Sequence, residues 1–181
     1  VVTRAFVAVR PPDVVLDAIA ARVDGLVVPD GKLTPRAQWH LTLQFLGNDV
    51  DLGAVEGALH SVAWSAGDVQ LSGAGTLPPE RRSKYMVLFV REGSEWMRGL
   101  AGAVSSALAP LGFVPEARDY TPHLTVARLR SPSRLRGECA QVGAEPIEPA
   151  FRVDEFVLYE SRLGRGPAEH IPVAKFPLGD P

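Results

Sequence analysis

Two short segments of this chain set a threonine two residues after a histidine, His40-Leu-Thr42 and His123-Leu-Thr125. In a strand, alternation would put His40 and Thr42 on one face and Leu41, Leu43 and Phe45 on the other, with His123 and Thr125 likewise opposite Leu124 and Val126. Two imidazoles and two hydroxyls that converge suit a phosphodiester. One neutral imidazole can take a proton from an attacking water while the other, protonated, gives one to the departing oxygen. Each threonine hydroxyl can donate to a nonbridging phosphate oxygen and hold the group in line. This chemistry needs no metal. A single His-x-Thr would read as an ordinary strand, because threonine favours strands. Two copies in matching surroundings point to function instead.

Those surroundings are a strand, a helix and a loop, met twice. Arg4-Ala-Phe-Val-Ala-Val-Arg10 is strand-like and stops at two prolines, and Asp13 to Val23 then spaces Val14, Val15, Ala18, Ile19 and Val23 as a helix does. A loop holding Pro29, Gly31 and Pro35 leads to His40 and its alternating strand, which ends at Gly47-Asn48. In the second half, Lys84 to Arg91 is strand-like, Glu95 to Leu108 repeats Trp96, Leu100, Val104 and Leu108 at helical spacing, and a loop precedes His123. The chain thus carries a degenerate internal repeat. Two β-α-β units that cannot bury their apolar faces alone pack most economically as two lobes about a pseudo-two-fold axis, with both His/Thr pairs facing one cleft. Segments around Val69, Phe151 to Tyr159 and His170 to Phe176 add strands, and Arg130 to Pro149 is expected to be an irregular loop. The expected class is α+β, a single bilobal domain over 1–181 with antiparallel-rich sheets.

Composition narrows the partners. The 181 residues, 46% of them apolar, allow a sizeable core and leave little room for a further catalytic domain. A net charge of −2 gives no general attraction for a polyanion, so any nucleic-acid contact must be local. The one cysteine, Cys139, excludes an internal disulfide or a Cys-rich zinc site and fits a reducing, cytoplasmic setting. The apolar run from Val1 to Val9 is too short for a signal segment or a membrane span and reads as a strand. Gly73-Ala-Gly75 lacks the third glycine and the strand-to-helix context of a dinucleotide site, and no phosphate loop of the Gly-x-x-x-x-Gly-Lys type occurs.

The chain resembles the 2H phosphoesterase superfamily, and within it the RNA 2′,3′-cyclic phosphodiesterases once called 2′-5′ RNA ligases. The resemblance rests on Arg4-Ala-Phe-Val-Ala-Val, His40-Leu-Thr-Leu-Gln-Phe-Leu-Gly47, Pro122-His-Leu-Thr-Val-Ala-Arg128, Leu158-Tyr-Glu-Ser161 and Phe176-Pro-Leu178. It implies the bilobal fold of that family, His40 as proton donor and His123 as proton acceptor. It also implies a product whose phosphate stays on the 2′ oxygen. Gln44 stands where lysine is common, Tyr120 where phenylalanine is common, and His170 near a frequent tyrosine.

Substrate contacts are expected from Arg128, Tyr120 and Phe6. Strict alternation sets Arg128 beside Leu124 and Val126, so a role on the histidine face requires a bulge. Phe6 and Tyr120 are candidates to stack on a base, although core or loop packing is the commoner fate of such residues. Arg81, Arg82 and Lys84, and Arg128, Arg130, Arg134 and Arg136, form two basic runs that a polyanion could follow, or simply solvated faces. His60 and His170, without a threonine two places on, read as structural or surface residues. The expected partner is RNA with a 2′,3′-cyclic phosphate end or a cyclic nucleotide, handled by a monomer without metal, cofactor or obligate protein partner. Rival readings are 2′-5′ end joining, hydrolysis of another cyclic or 2′-5′ nucleotide, and a module that binds RNA ends without turnover.

Overall fold

The computed structural model describes residues 3–79 and 82–180. Strand β1 (Arg4–Val9) ends before Pro11-Pro12, and Pro12 is the N-cap of helix α1 (Asp13–Val23). Prolines here end a ladder, because they lack an N–H, and open a helix at no cost in hydrogen bonds. Helix α1 buries Val15, Leu16, Ile19 and Val23. Val14 is 58% exposed, so the apolar stripe is rotated from the expected set towards Leu16. Strand β3 (Leu41–Gly47) completes the unit by pairing antiparallel with β1.

The second unit repeats this order. Strand β5 (Ser83–Glu92) turns at Gly93 into helix α3 (Ser94–Leu108), and strand β6 (His123–Ser133) returns antiparallel beside β5. Gly93 has φ of 75°, and a Cβ there would lie 2.3 Å from the Asp68 carbonyl oxygen, so only glycine fits this turn. Helix α3 buries Met97, Leu100, Ala101, Val104 and Leu108 against the same core as α1.

Between and after the units lie β2 (Gly31–Leu33), α2 (Leu52–Leu59), β4 (Gly67–Thr76), α4 (Arg136–Val142), β7 (Phe151–Val153), β8 (Glu155–Arg162) and β9 (Glu169–Pro177). The strands run in the order β7-β4-β5-β6-β3-β1-β8-β9, with β2 added beside β6, as an open sheet. Every pairing between these strands is antiparallel. The helices cover one face, where most of the buried apolar residues form one cluster. The opposite face of the first half carries only a small cluster of Phe6, Ala8, Val157 and Tyr159.

Three expectations change. Strand β2 forms inside the loop around Gly31. The stretch from Arg130 to Pro149 is not irregular throughout, since β6 runs to Ser133 and α4 follows. Arg22 of α1 donates to the carbonyls of Val142, Glu145 and Pro146 at 2.7 to 3.1 Å, which fastens the turn after α4 to the first helix. The run from Phe151 to Tyr159 is two strands, because β7 pairs with β4 whereas β8 pairs with β1 on the far side of the sheet. Val1, Val2 and Arg81 lie outside the described residues.

Candidate active site

Strands β3 and β6 touch along one ladder pair, Leu41 opposite Leu124. Both leucines are 0% exposed and face the helices. An antiparallel pair has a local two-fold axis normal to the sheet, and here it passes between these two residues. That axis relates His40-Leu-Thr42 to His123-Leu-Thr125, and the register sets His40 across from Thr125 and Thr42 across from His123. All four polar side chains are partly buried, on the face the helices leave open.

Each imidazole lies near the carbonyl two residues before it. His123 Nδ1 donates to the Thr121 carbonyl at 2.6 Å, leaving Nε2 to face the open side. The carbonyl two residues before the other histidine, that of Gln38, is close enough to His40 to raise its proton affinity. Each threonine is held from the opposite unit. Tyr120 Oη donates to the Thr42 carbonyl at 2.8 Å, and Thr34 Oγ1 donates to the Thr125 carbonyl at 2.8 Å. Thr34 Oγ1 in turn accepts from Trp39 Nε1 at 2.9 Å. The approach to each motif therefore anchors the threonine of the other. With a single ladder pair at the seam, these hydroxyls satisfy carbonyls that the diverging strands leave unpaired.

Two bulges complete the face. The register between β1 and β3 shifts between Val7 opposite Gln44 and Ala8 opposite Thr42, which makes Leu43 the extra residue. The register between β5 and β6 shifts between Met86 opposite Ala127 and Val87 opposite Thr125, which makes Val126 the extra residue. The shifts fall at equivalent places, three residues after each histidine. Each bulge reverses the alternation that follows it. Phe45, expected on the buried face with Leu41 and Leu43, is 59% exposed. Arg128, which strict alternation would set beside Leu124 and Val126, is exposed on the site face, with its guanidinium 5.7 Å from the centre of the Tyr85 ring. The same reversal buries Gln44, whose Oε1 accepts from Ser105 of α3 at 2.9 Å, so this residue points away from the cleft.

Aromatic packing corrects two further expectations. Phe6 is 3% exposed and lies against His40 (ring centres 4.7 Å apart, 28° between planes) and Tyr159 (5.2 Å, 17°). It supports the His40 ring and offers no open face to a base. Tyr120 uses its hydroxyl to hold Thr42 from within the loop. His170, read from sequence as structural or surface, stands edge-on to His40 at 5.2 Å and to Phe6 at 4.9 Å. Its buried Nδ1 has no hydrogen-bond partner among the described residues. No spacing in the sequence links β9 to the first motif, so His170 had no local mark.

Electrostatics favours neutral imidazoles in the free site. Burial and then His170 push His40 down to about 3, with lesser help from Arg128 and His123 and against an upward pull from the Gln38 carbonyl that outweighs either of those two. Burial also lowers His123, partly offset by the Thr121 carbonyl and Glu116. Burial, with Arg128 and Arg4, lowers His170. An anion placed among these groups would favour protonation of both rings, and Arg128 has no ion pair among the described residues.

Residues 15–165 match the family model described as the 2′-5′ RNA ligase superfamily. The chain belongs to that superfamily. An RNA 2′,3′-cyclic phosphodiesterase of Methanothermobacter thermautotrophicus is 31% identical over 169 residues, spanning 88% of this chain and 90% of the relative. One of Aquifex aeolicus is 28% identical over 141 residues, 74% of each. Among solved structures, TT0787 of Thermus thermophilus superposes with a TM-score of 0.80 at 25% identity, covering 98% of both chains. E. coli LigT complexed with 3′-AMP gives 0.77 at 23% identity over 98% of this chain and 99% of LigT, which supports the fold. The α+β, antiparallel architecture expected from the resemblance is therefore the fold of the superfamily. Among the described residues, no helix is long and apolar enough to cross a membrane and no group of three or more His, Cys, Asp or Glu could hold a metal ion.

Proposed function

We propose that the chain hydrolyses the 2′,3′-cyclic phosphate end of RNA to a 2′-phosphomonoester, by acid/base action of His40 and His123. The observation that carries this reading is the local two-fold at Leu41 and Leu124. It sets two imidazoles and two threonines around one point, with His123 Nδ1 tied to the Thr121 carbonyl. The relatives named RNA 2′,3′-cyclic phosphodiesterase support the same substrate class.

The phosphodiester carries one negative charge and sits between the rings. His123 Nε2 takes a proton from water as the water oxygen attacks phosphorus. The bond to the 3′ oxygen breaks, and His40 gives that oxygen a proton, so the phosphate remains on the 2′ oxygen. His40 is the donor here on the family resemblance. The hydroxyls of Thr42 and Thr125 donate to the nonbridging oxygens, and Arg128 offsets their charge. Phe45, exposed beside Thr42, offers an apolar face to the terminal nucleoside.

The test is turnover of a short RNA ending in a 2′,3′-cyclic phosphate, with chelator throughout, for the natural chain, His40→Ala and His123→Ala, with the product isomer identified. A 2′-phosphate product lost in both variants is expected. Binding without turnover in the natural chain would favour an end-binding module instead.

A further inference from the structure

A second cavity, of about 420 Å³, opens beside the polar centre on the His123 side. Its walls include Gly75 of β4, Phe89 and Arg91 of β5, Ser94 and Arg98 of α3, and Thr121. It adjoins the candidate centre, since Phe89 pairs with His123 across the ladder and Thr121 holds the His123 ring. Nothing in the proposed hydrolysis of the cyclic ester uses it.

Its shape depends on Gly75, one of the two glycines that the sequence left without a role. A Cβ at Gly75 would lie 2.7 Å from the Phe89 ring, so glycine is what allows that ring to lie against β4. The Arg91 guanidinium stands 5.4 Å from the Phe89 ring centre and has no ion pair among the described residues. Arg98 is engaged, by Glu95 and by the Tyr120 carbonyl. The cavity thus offers an aromatic ring, a guanidinium set over it that has no ion pair among the described residues, and hydroxyl side chains along its wall. Its volume lies in the range of pockets that hold small ligands.

These features suit a nucleobase. Every base has a π face that stacks on an aromatic ring or a guanidinium plane, and a neighbouring cation can meet the phosphate attached to it. On the other side of the centre, the corresponding cavity beside His40 is about 160 Å³ and is lined by Phe6, Arg10, Tyr159 and His170. The two sides of the cleft are therefore unequal, and the roomier one lies away from Phe45.

We propose that the cavity formed by Gly75, Phe89 and Arg91 is a subsite for the nucleotide 5′ to the cyclic end, stacking its base and meeting the internucleotide phosphate. This rests on the reading of the centre as a site for RNA ends. It makes the chain prefer an oligonucleotide end to a cyclic mononucleotide, through residues that take no part in proton transfer.

The experiment compares adenosine 2′-phosphate with adenylyl-adenosine 2′-phosphate in equilibrium binding, and the two cyclic forms in turnover, for the natural chain, Phe89→Leu and Arg91→Ala. The natural chain should prefer the dinucleotide roughly tenfold in both measurements, the scale of one stacked base. Each variant should reduce that ratio severalfold, with far less effect on the mononucleotide. Equal binding of the two ligands by the natural chain would overturn the proposal, as would an undiminished ratio in both variants. If the binding ratio behaves as expected while neither cyclic form is turned over, the subsite stands and the hydrolytic reading fails.

Discussion

At the scale of single residues, the environment of the imidazoles makes a prediction independent of which is acid and which base. Both have proton affinities below the ordinary 6.5, His40 the lower at about 3. The form of the free protein that holds one proton on the pair is most populated between those two values. The acidic limb is set by the lower value and the basic limb by the higher. kcat/KM for a cyclic mononucleotide should accordingly peak on the acid side of 6.5 and fall as pH rises past it. A bound phosphodiester anion raises both affinities, so the profile of kcat should lie at higher pH than that of kcat/KM. A kcat/KM that keeps rising to about pH 8 would contradict the buried, cation-flanked setting of His40. Replacing either histidine by alanine should lower kcat by about 10²–10⁴-fold at the optimum.

At the scale of elements, the strands show what was legible in the sequence and what was not. Alternation around His40 and His123 marked the strands and their polar faces, and the repeated strand-helix-loop marked the two-fold, because both are local patterns of apolar spacing. The bulges at Leu43 and Val126 were not legible. A bulge depends on the register with the neighbouring strand, which a single strand does not encode. Hence Phe45 was set on the wrong face, strict alternation would put Gln44 in the cleft it avoids, and the bulge that a cleft role for Arg128 requires shows only in the register with β5. His170 was missed for a related reason, since it reaches His40 only through the order β3-β1-β8-β9. The straps across the β3–β6 seam are also tertiary. Tyr120→Phe and Thr34→Val each remove one hydroxyl that holds a threonine carbonyl from the other unit. Each should lower kcat about threefold to tenfold, the worth of one such bond, and leave KM nearly unchanged. Thr34→Ser should restore most of the loss. An equal rise in KM, or a failure of serine to rescue, would mean that these residues only stabilise the fold.

For the whole molecule, charge is the quantity that matters to an RNA substrate. The net value of −2 provides no general attraction, so ionic contact must come from cations that face the cleft. Several candidates are already engaged: Arg10 with Asp13 and Arg98 with Glu95. Arg128 on the site face and Arg91 in the cavity beside it have no ion pair among the described residues. A mononucleotide can meet the first of these and a longer end can meet both. With a single-strand slope of roughly −0.7 per phosphate neutralised, a tenfold rise in salt should weaken binding of the mononucleotide roughly fivefold and of a dinucleotide roughly 25-fold. Arg91→Ala should bring the dinucleotide slope down to that of the mononucleotide. Equal slopes in the natural chain would mean that only one phosphate is held, and that any preference for longer ends comes from stacking on Phe89 alone. A much steeper slope for longer RNA would bring in the basic run from Arg130 to Arg136, which lies on β6 and α4 beyond the site.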